Sequence, residues 1–117
     1  MGEGRTQPET TKFAFVDELQ KALRTDDHAW LADHIRYPLR HHGRMAVVIR
    51  SKSDFMRNYP ALVSDKLRRA ILAQQPQQIF ENWQGVMVGD VAHNIWLREA
   101  GEGESARYEI VAINDAE

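Results

Sequence analysis

The stretch from Phe80 to Leu97, FENWQGVMVGDVAHNIWL, constrains this chain more than any other. Its eighteen residues hold two of the three Trp residues, an apolar run bounded by Gly85 and Gly89, and a second strand-like run. Two short apolar runs around the turn GDVAH predict a hairpin. Trp83 and Trp96 on its broad faces predict a curved sheet that buries both rings against helices.

Upstream the period is helical. Phe15, Leu19, Ala22 and Leu23 recur at helical spacing between polar residues, which predicts an amphipathic helix over residues 10–24. A second helix follows with Asp26 as N-cap, Asp27 in the first turn, and Leu31 and Ile35 inward, until Pro38 forces Tyr37 into extended backbone. Only Arg24 and Thr25 link the two, so they pack as a helical hairpin. Strands over residues 37–41 and 45–50 then flank a turn at Gly43. In the second of these Met45, Val47 and Ile49 share one face and Ala46, Val48 and Arg50 the other, so a cover is expected on both. Ser51 or Ser53 caps a short helix through Tyr59 that Pro60 ends. Ser64 opens a further helix with Leu67, Ala70 and Ile71 inward, and Pro76 closes it. One more turn over residues 77–82 makes plugs of Ile79 and Phe80. Strands over 83–89, 94–99 and 106–114 complete the chain, with AGEGES as the last turn.

Composition sets the class. With 117 residues, 43% of them apolar, the chain is long enough for one core without staples, here residues 11–117 behind a flexible leader of residues 1–10. The absence of cysteine excludes disulfides, thiolate catalysis and Cys-ligated metals, and leaves the compartment open. A net charge of -2 argues against binding nucleic acid through bulk charge. No segment approaches the roughly 20 apolar residues of a membrane span, so no membrane partner is expected. The start, MGEGRTQPET, has no apolar signal core, and Glu3 opposes the myristoylation pattern formed by Gly2 and Thr6. A soluble cytoplasmic protein is the default expectation, or a periplasmic or secreted one if a signal peptide preceded this start.

The order helix, helix, hairpin, helices, meander predicts an α+β fold with helices on one face of a mixed or mainly antiparallel sheet of about five strands. That order, with IRYPL after the second helix, SKSDFMRNY after the hairpin, FENWQGVMVGD before the meander and the closing YEIVAIN, resembles small bacterial members of the nuclear transport factor 2-like, or cystatin-like, superfamily over residues 12–114. The resemblance implies a cone: a strongly bent sheet wrapped around the first helices, with a pocket at its open end. It also implies pairing of two copies through the outer sheet face. It does not select a function, because the same cone holds isomerases, dehydratases, cyclases, transport adaptors and accessory subunits.

The residues offer few catalysts. An isomerase-like site needs a carboxylate base opposite a Tyr and a protonated acid in an apolar cavity, and no such set matches here. Asp33, His34 and Tyr37 lie near the expected mouth and are the weak acid-base candidates. Neighbouring helix positions point apart, however, so solvation of Asp33 and capping of the helix C-terminus by His34 account for that pair. His41 and His42 alternate across a strand and cannot share a metal, no four-ligand set is present, and a polar turn accounts for them as it does for His93. No dinucleotide fingerprint or phosphate loop is present, and GEGES is too short and too acidic to cradle a phosphate, so no cofactor or metal is expected.

Charge and aromatics supply the rest. Residues 36–52 carry Arg36, Arg40, Arg44, Arg50 and Lys52 with no acid, while the residues from Asp90 onward hold seven acids against Arg98 and Arg107. These read first as complementary bands across one sheet, and second as an anion site with Arg50 at a cavity rim. Trp30, Tyr37, Tyr59 and Arg50 on the helical and hairpin side, with Trp83, Met87 and Trp96 from the meander, are the expected lining of an aromatic pocket. Core filling explains the same residues. Three functions are therefore expected in order: a non-catalytic module binding a small apolar or anionic ligand or a partner, an isomerase, dehydratase or cyclase working through Asp33, His34 or Tyr37, and a structural homodimer.

Overall fold

A computed structural model describes residues 8–101 and 107–116, with side chains from Lys12 onward. The myristoylation pattern, most of the leader and the turn at residues 102–106 lie outside the described residues. Helix α1 spans Pro8–Arg24, so residues 8–10 of the expected leader are already helical, and Pro8 stands at its first position, where a missing N–H costs nothing. Helix α2 spans His28–Asp33. Its N-cap is Asp27, whose carboxylate accepts from Trp30 N at 3.1 Å. The expected cap Asp26 instead turns the chain at φ 55, a left-handed conformation that Asp tolerates better than most side chains.

Strand β1 (Ile35–His42) begins as soon as α2 ends and pairs antiparallel with β2 (Ala46–Ile49). Pro38 lies inside β1, where it cannot donate to a ladder, and the β1–β6 register shifts between Ile35 and Arg40 around it. Helices α3 (Lys52–Arg57), α4 (Tyr59–Leu62) and α5 (Asp65–Ala73) follow. Ser51 caps α3, with its hydroxyl accepting from Asp54 N. Pro60 does not terminate a helix as the sequence suggested; it sits in the first turn of α4, the one place a helix accepts it. After a 3₁₀ turn at Pro76–Gln78, strands β3 (Phe80–Asn82), β4 (Gly85–Gly89), β5 (His93–Ala100) and β6 (Arg107–Asp115) form an antiparallel meander. Residues 80–82 are therefore strand rather than helical turn, and Phe80 is exposed rather than a plug.

The six strands run β2-β1-β6-β5-β4-β3, and one parallel pairing, β1 with β6, joins the hairpin to the meander. The result is an open, mixed α+β sheet, one strand larger than expected. Helices α1 and α5 pack on one face. Val16, Leu19 and Leu23 from α1 and Leu67 and Ile71 from α5 meet Leu39, Val88, Ile95, Leu97, Ile110 and Ile113 there, all at most 2% exposed. The buried amide of Gln20 donates to the carbonyls of Ile71 and Gln74, which satisfies the C-terminal end of α5 and ties it to α1. The two glycines that bound β4 both have positive φ, 136° at Gly85 and 118° at Gly89. A Cβ would run into the carbonyl of Leu97 at the first and of His93 at the second. No helix among the described residues is long and apolar enough to cross a membrane.

Candidate functional site

Among the described residues the sheet's second face carries no helix, and the pairing register shows what it presents. Phe80 stands opposite Met87, Met87 opposite Trp96, Trp96 opposite Ala112, Ala112 opposite Arg40, and Arg40 opposite Val48. This row crosses all six strands, and Phe80 and Trp96 meet edge to face at 6.4 Å. Trp83 lies in the β3–β4 turn beside the row and is 85% exposed. The expectation that Trp83 and Trp96 are buried against helices is therefore corrected. Trp83 falls in a turn rather than in a strand, and Trp96 takes the strand position opposite to its buried neighbours Ile95 and Leu97.

Around the two indoles the same face opens a cleft of about 490 Å³, rimmed by Arg36, Arg40, Arg98 and His42. Alternation along β1 places Arg36, Arg40 and His42 here, since inward positions go to Ile35, Leu39 and His41. Arg36 Nε donates to Glu109 at 2.9 Å, and Arg107 approaches the same carboxylate at 3.6 Å. Part of the basic band thus pairs across strands. Arg40 and Arg98 have no side-chain hydrogen bond or ion pair among the described residues. His42 Nδ1 bonds the side-chain oxygen of Asn114 at 2.9 Å, which in turn holds Asn94. Two uncommitted guanidinium forks beside two indole faces can take an anion with a flat apolar body.

A second cleft, of about 730 Å³, lies between β2 and helices α4 and α5. Met45, Val47 and Ile49 line one wall, and Ala61 and Leu62 the other. At its base His41 Nε2 donates to the Leu62 carbonyl at 2.9 Å, and Asp115 accepts from Ser64 Oγ at 2.8 Å and from Ser64 N at 3.1 Å. Ser64 Oγ also accepts from Leu67 N, so this hydroxyl works as the cap of α5 rather than as a nucleophile. Sequence reasoning found the cap but not its carboxylate partner, which lies 51 positions away and leaves no local signal. The pair His41 and His42 divides between the two faces, as strand alternation requires.

The remaining candidates do not converge on one pocket. His34 Nδ1 bonds the Trp30 carbonyl at 2.7 Å, and its ring stacks on Trp30 at 4.0 Å, with Phe15 5.3 Å from Trp30. Asp33 is exposed and paired with Lys52, whose hydrogen bond and charge hold its carboxyl below the usual range. Tyr37 donates its hydroxyl to the Ala32 carbonyl at 2.9 Å, and burial, with a smaller push from Asp33, raises it to about 12. Each member of the Asp33, His34 and Tyr37 set is thus engaged in a local bond, and no bond links the three. Tyr59 stacks on His28 at 3.6 Å beside a network in which Arg68 bridges Asp26 and Asp65, and burial raises its phenol. Arg50 is exposed just beyond β2, and Met87 lies in the outer row. His93 Nε2 bonds the Ala116 carbonyl at 2.7 Å. Among the described residues no group of three or more His, Asp or Glu side chains is placed to hold a metal ion.

Compared with models of protein families, with curated proteins and with solved structures, the chain matches none of them.

Proposed function

We propose that this domain is a non-catalytic binding module whose cleft on the open sheet face takes a small ligand with an anionic group and a flat apolar body. The observation that carries the reading is that the uncommitted Arg40 and Arg98 line one cleft with the exposed Trp83 and the half-buried Trp96. Guanidinium forks match a carboxylate, sulfonate or phosphate, and the indoles supply apolar area at little conformational cost. The element order, with its parallel join of hairpin to meander, supports placing the chain with the nuclear transport factor 2-like superfamily. In this reading the ligand sits on the outside of the sheet rather than inside a cone.

The probe is 8-anilinonaphthalene-1-sulfonate, which has the required anion and rings. Titration of the full chain is expected to saturate, and Arg40→Ala with Arg98→Ala to weaken binding about tenfold while leaving the melting temperature in place, since both side chains are exposed. Equal affinity in the double variant contradicts the proposal. A second reading, that two copies meet through this face, is favoured by the six-strand row running uncovered from Phe80 to Val48.

A further inference from the structure

The 730 Å³ cleft between β2 and helices α4 and α5 has a floor of two buried polar side chains beneath its apolar walls. These are His41 and Asp115, only 5% and 8% exposed. Because the Leu62 carbonyl can only accept, the neutral His41 ring carries its proton on Nε2 and leaves Nδ1 as an acceptor. That Nδ1 has no hydrogen bond among the described residues. Each Asp115 carboxylate oxygen accepts once from Ser64 and keeps a second lone pair. The Ser64 hydroxyl proton is spent on Asp115 and the His41 Nε2 proton on Leu62, so these side chains offer the cleft acceptors and no donor. Gly43 leaves the floor open. A Cβ there would stand 3.1 Å from His41 Cε1 and 3.6 Å from both His41 Nδ1 and the Asp115 main-chain oxygen. The cleft's lining also includes the exposed Lys66 and Arg69, neither with a side-chain hydrogen bond or ion pair among the described residues.

We propose that this cleft binds a small zwitterion, an apolar carbon chain with a primary ammonium at one end and a carboxylate at the other. The ammonium, with three N–H donors, bonds His41 Nδ1 and the Asp115 carboxylate. The chain lies along Val47, Ile49 and Ala61, and the carboxylate meets Lys66 and Arg69. The floor selects the head: a carboxylate placed there would face the charge of Asp115 and find no side-chain donor. The exposed cations select the tail, since a ligand that is only cationic meets two like charges with nothing to offset them. This site is separate from the cleft on the outer face, because His41 takes the inward side of β1 and His42 the outward side.

The test titrates the full chain with 6-aminohexanoate and its shorter and longer homologues, following the histidine ring nitrogens by ¹H–¹⁵N spectroscopy. Saturable binding is expected, with the His41 Nδ1 signal moving as it accepts a hydrogen bond and the His42 signals unmoved. Hexylamine is expected to bind about tenfold more weakly than the best of these, and hexanoate not to saturate. Lys66→Gln with Arg69→Gln is expected to erase the advantage over hexylamine; both side chains are exposed, and circular dichroism verifies the fold. Gly43→Ala is expected to weaken binding of every probe about tenfold, because its methyl group fills the approach to Nδ1. Gly43 does not use the left-handed backbone, so this change adds no backbone strain. The proposal is overturned if no probe saturates at millimolar concentration, if binding leaves the His41 Nδ1 signal in place, or if hexylamine or hexanoate binds as tightly as the zwitterions.

Discussion

At the scale of single residues, two glycines decide whether the meander forms. Gly85 and Gly89 hold positive φ at positions where an added Cβ would run into a carbonyl of the neighbouring strand. A side chain at Gly85 meets both penalties at once, so Gly85→Ala is expected to lower the unfolding free energy by about 2 kcal/mol or more, measured by urea denaturation. A loss below about 0.5 kcal/mol would mean that β4 relaxes away from Leu97. The sequence marks these glycines as the bounds of an apolar run but not the reason for them. The reason is a close approach between strands, visible only once Val86 is known to face Leu97. The same applies to Asp115, whose bonds to Ser64 depend on where β6 ends.

At the scale of elements, periodicity located most of the helices and strands, and the errors have local causes. Proline disfavours helix at the residue before it, which makes Pro60 look like a terminator; here that residue is the start of a new helix. Residues 80–82 lack alternation long enough to signal a strand, and only pairing with β4 makes them one. The expectation that both faces of β2 are covered failed because an edge strand can leave its apolar side chains in water. The open face as an element carries its own test. If two copies meet there, light scattering gives twice the mass of one chain and Trp96→Arg restores the single mass. A single mass at every concentration retires that arrangement and leaves the face to a ligand.

At the scale of the whole molecule, the α+β class and the order of layers were legible because hydrophobic period and turn chemistry agree along the chain. The site was less legible. The candidates chosen by residue type scatter over three places: Trp30, His34 and Tyr37 beside α2, Tyr59 beside Arg68, and Trp83, Met87 and Trp96 on the outer face. Bringing Arg40 and Arg98 to the two indoles needs the parallel β1–β6 pairing, a contact between segments about 70 residues apart that no local pattern announces. That pairing makes the cleft, and the cleft is the central claim. The direct measurement is the indole region of the ¹H–¹⁵N spectrum during titration with 8-anilinonaphthalene-1-sulfonate, because three Trp residues give three separable probes. Saturable shifts of the Trp83 and Trp96 signals with Trp30 unmoved are the predicted result; a shift of Trp30 alone would place the ligand on the helical side and contradict the account.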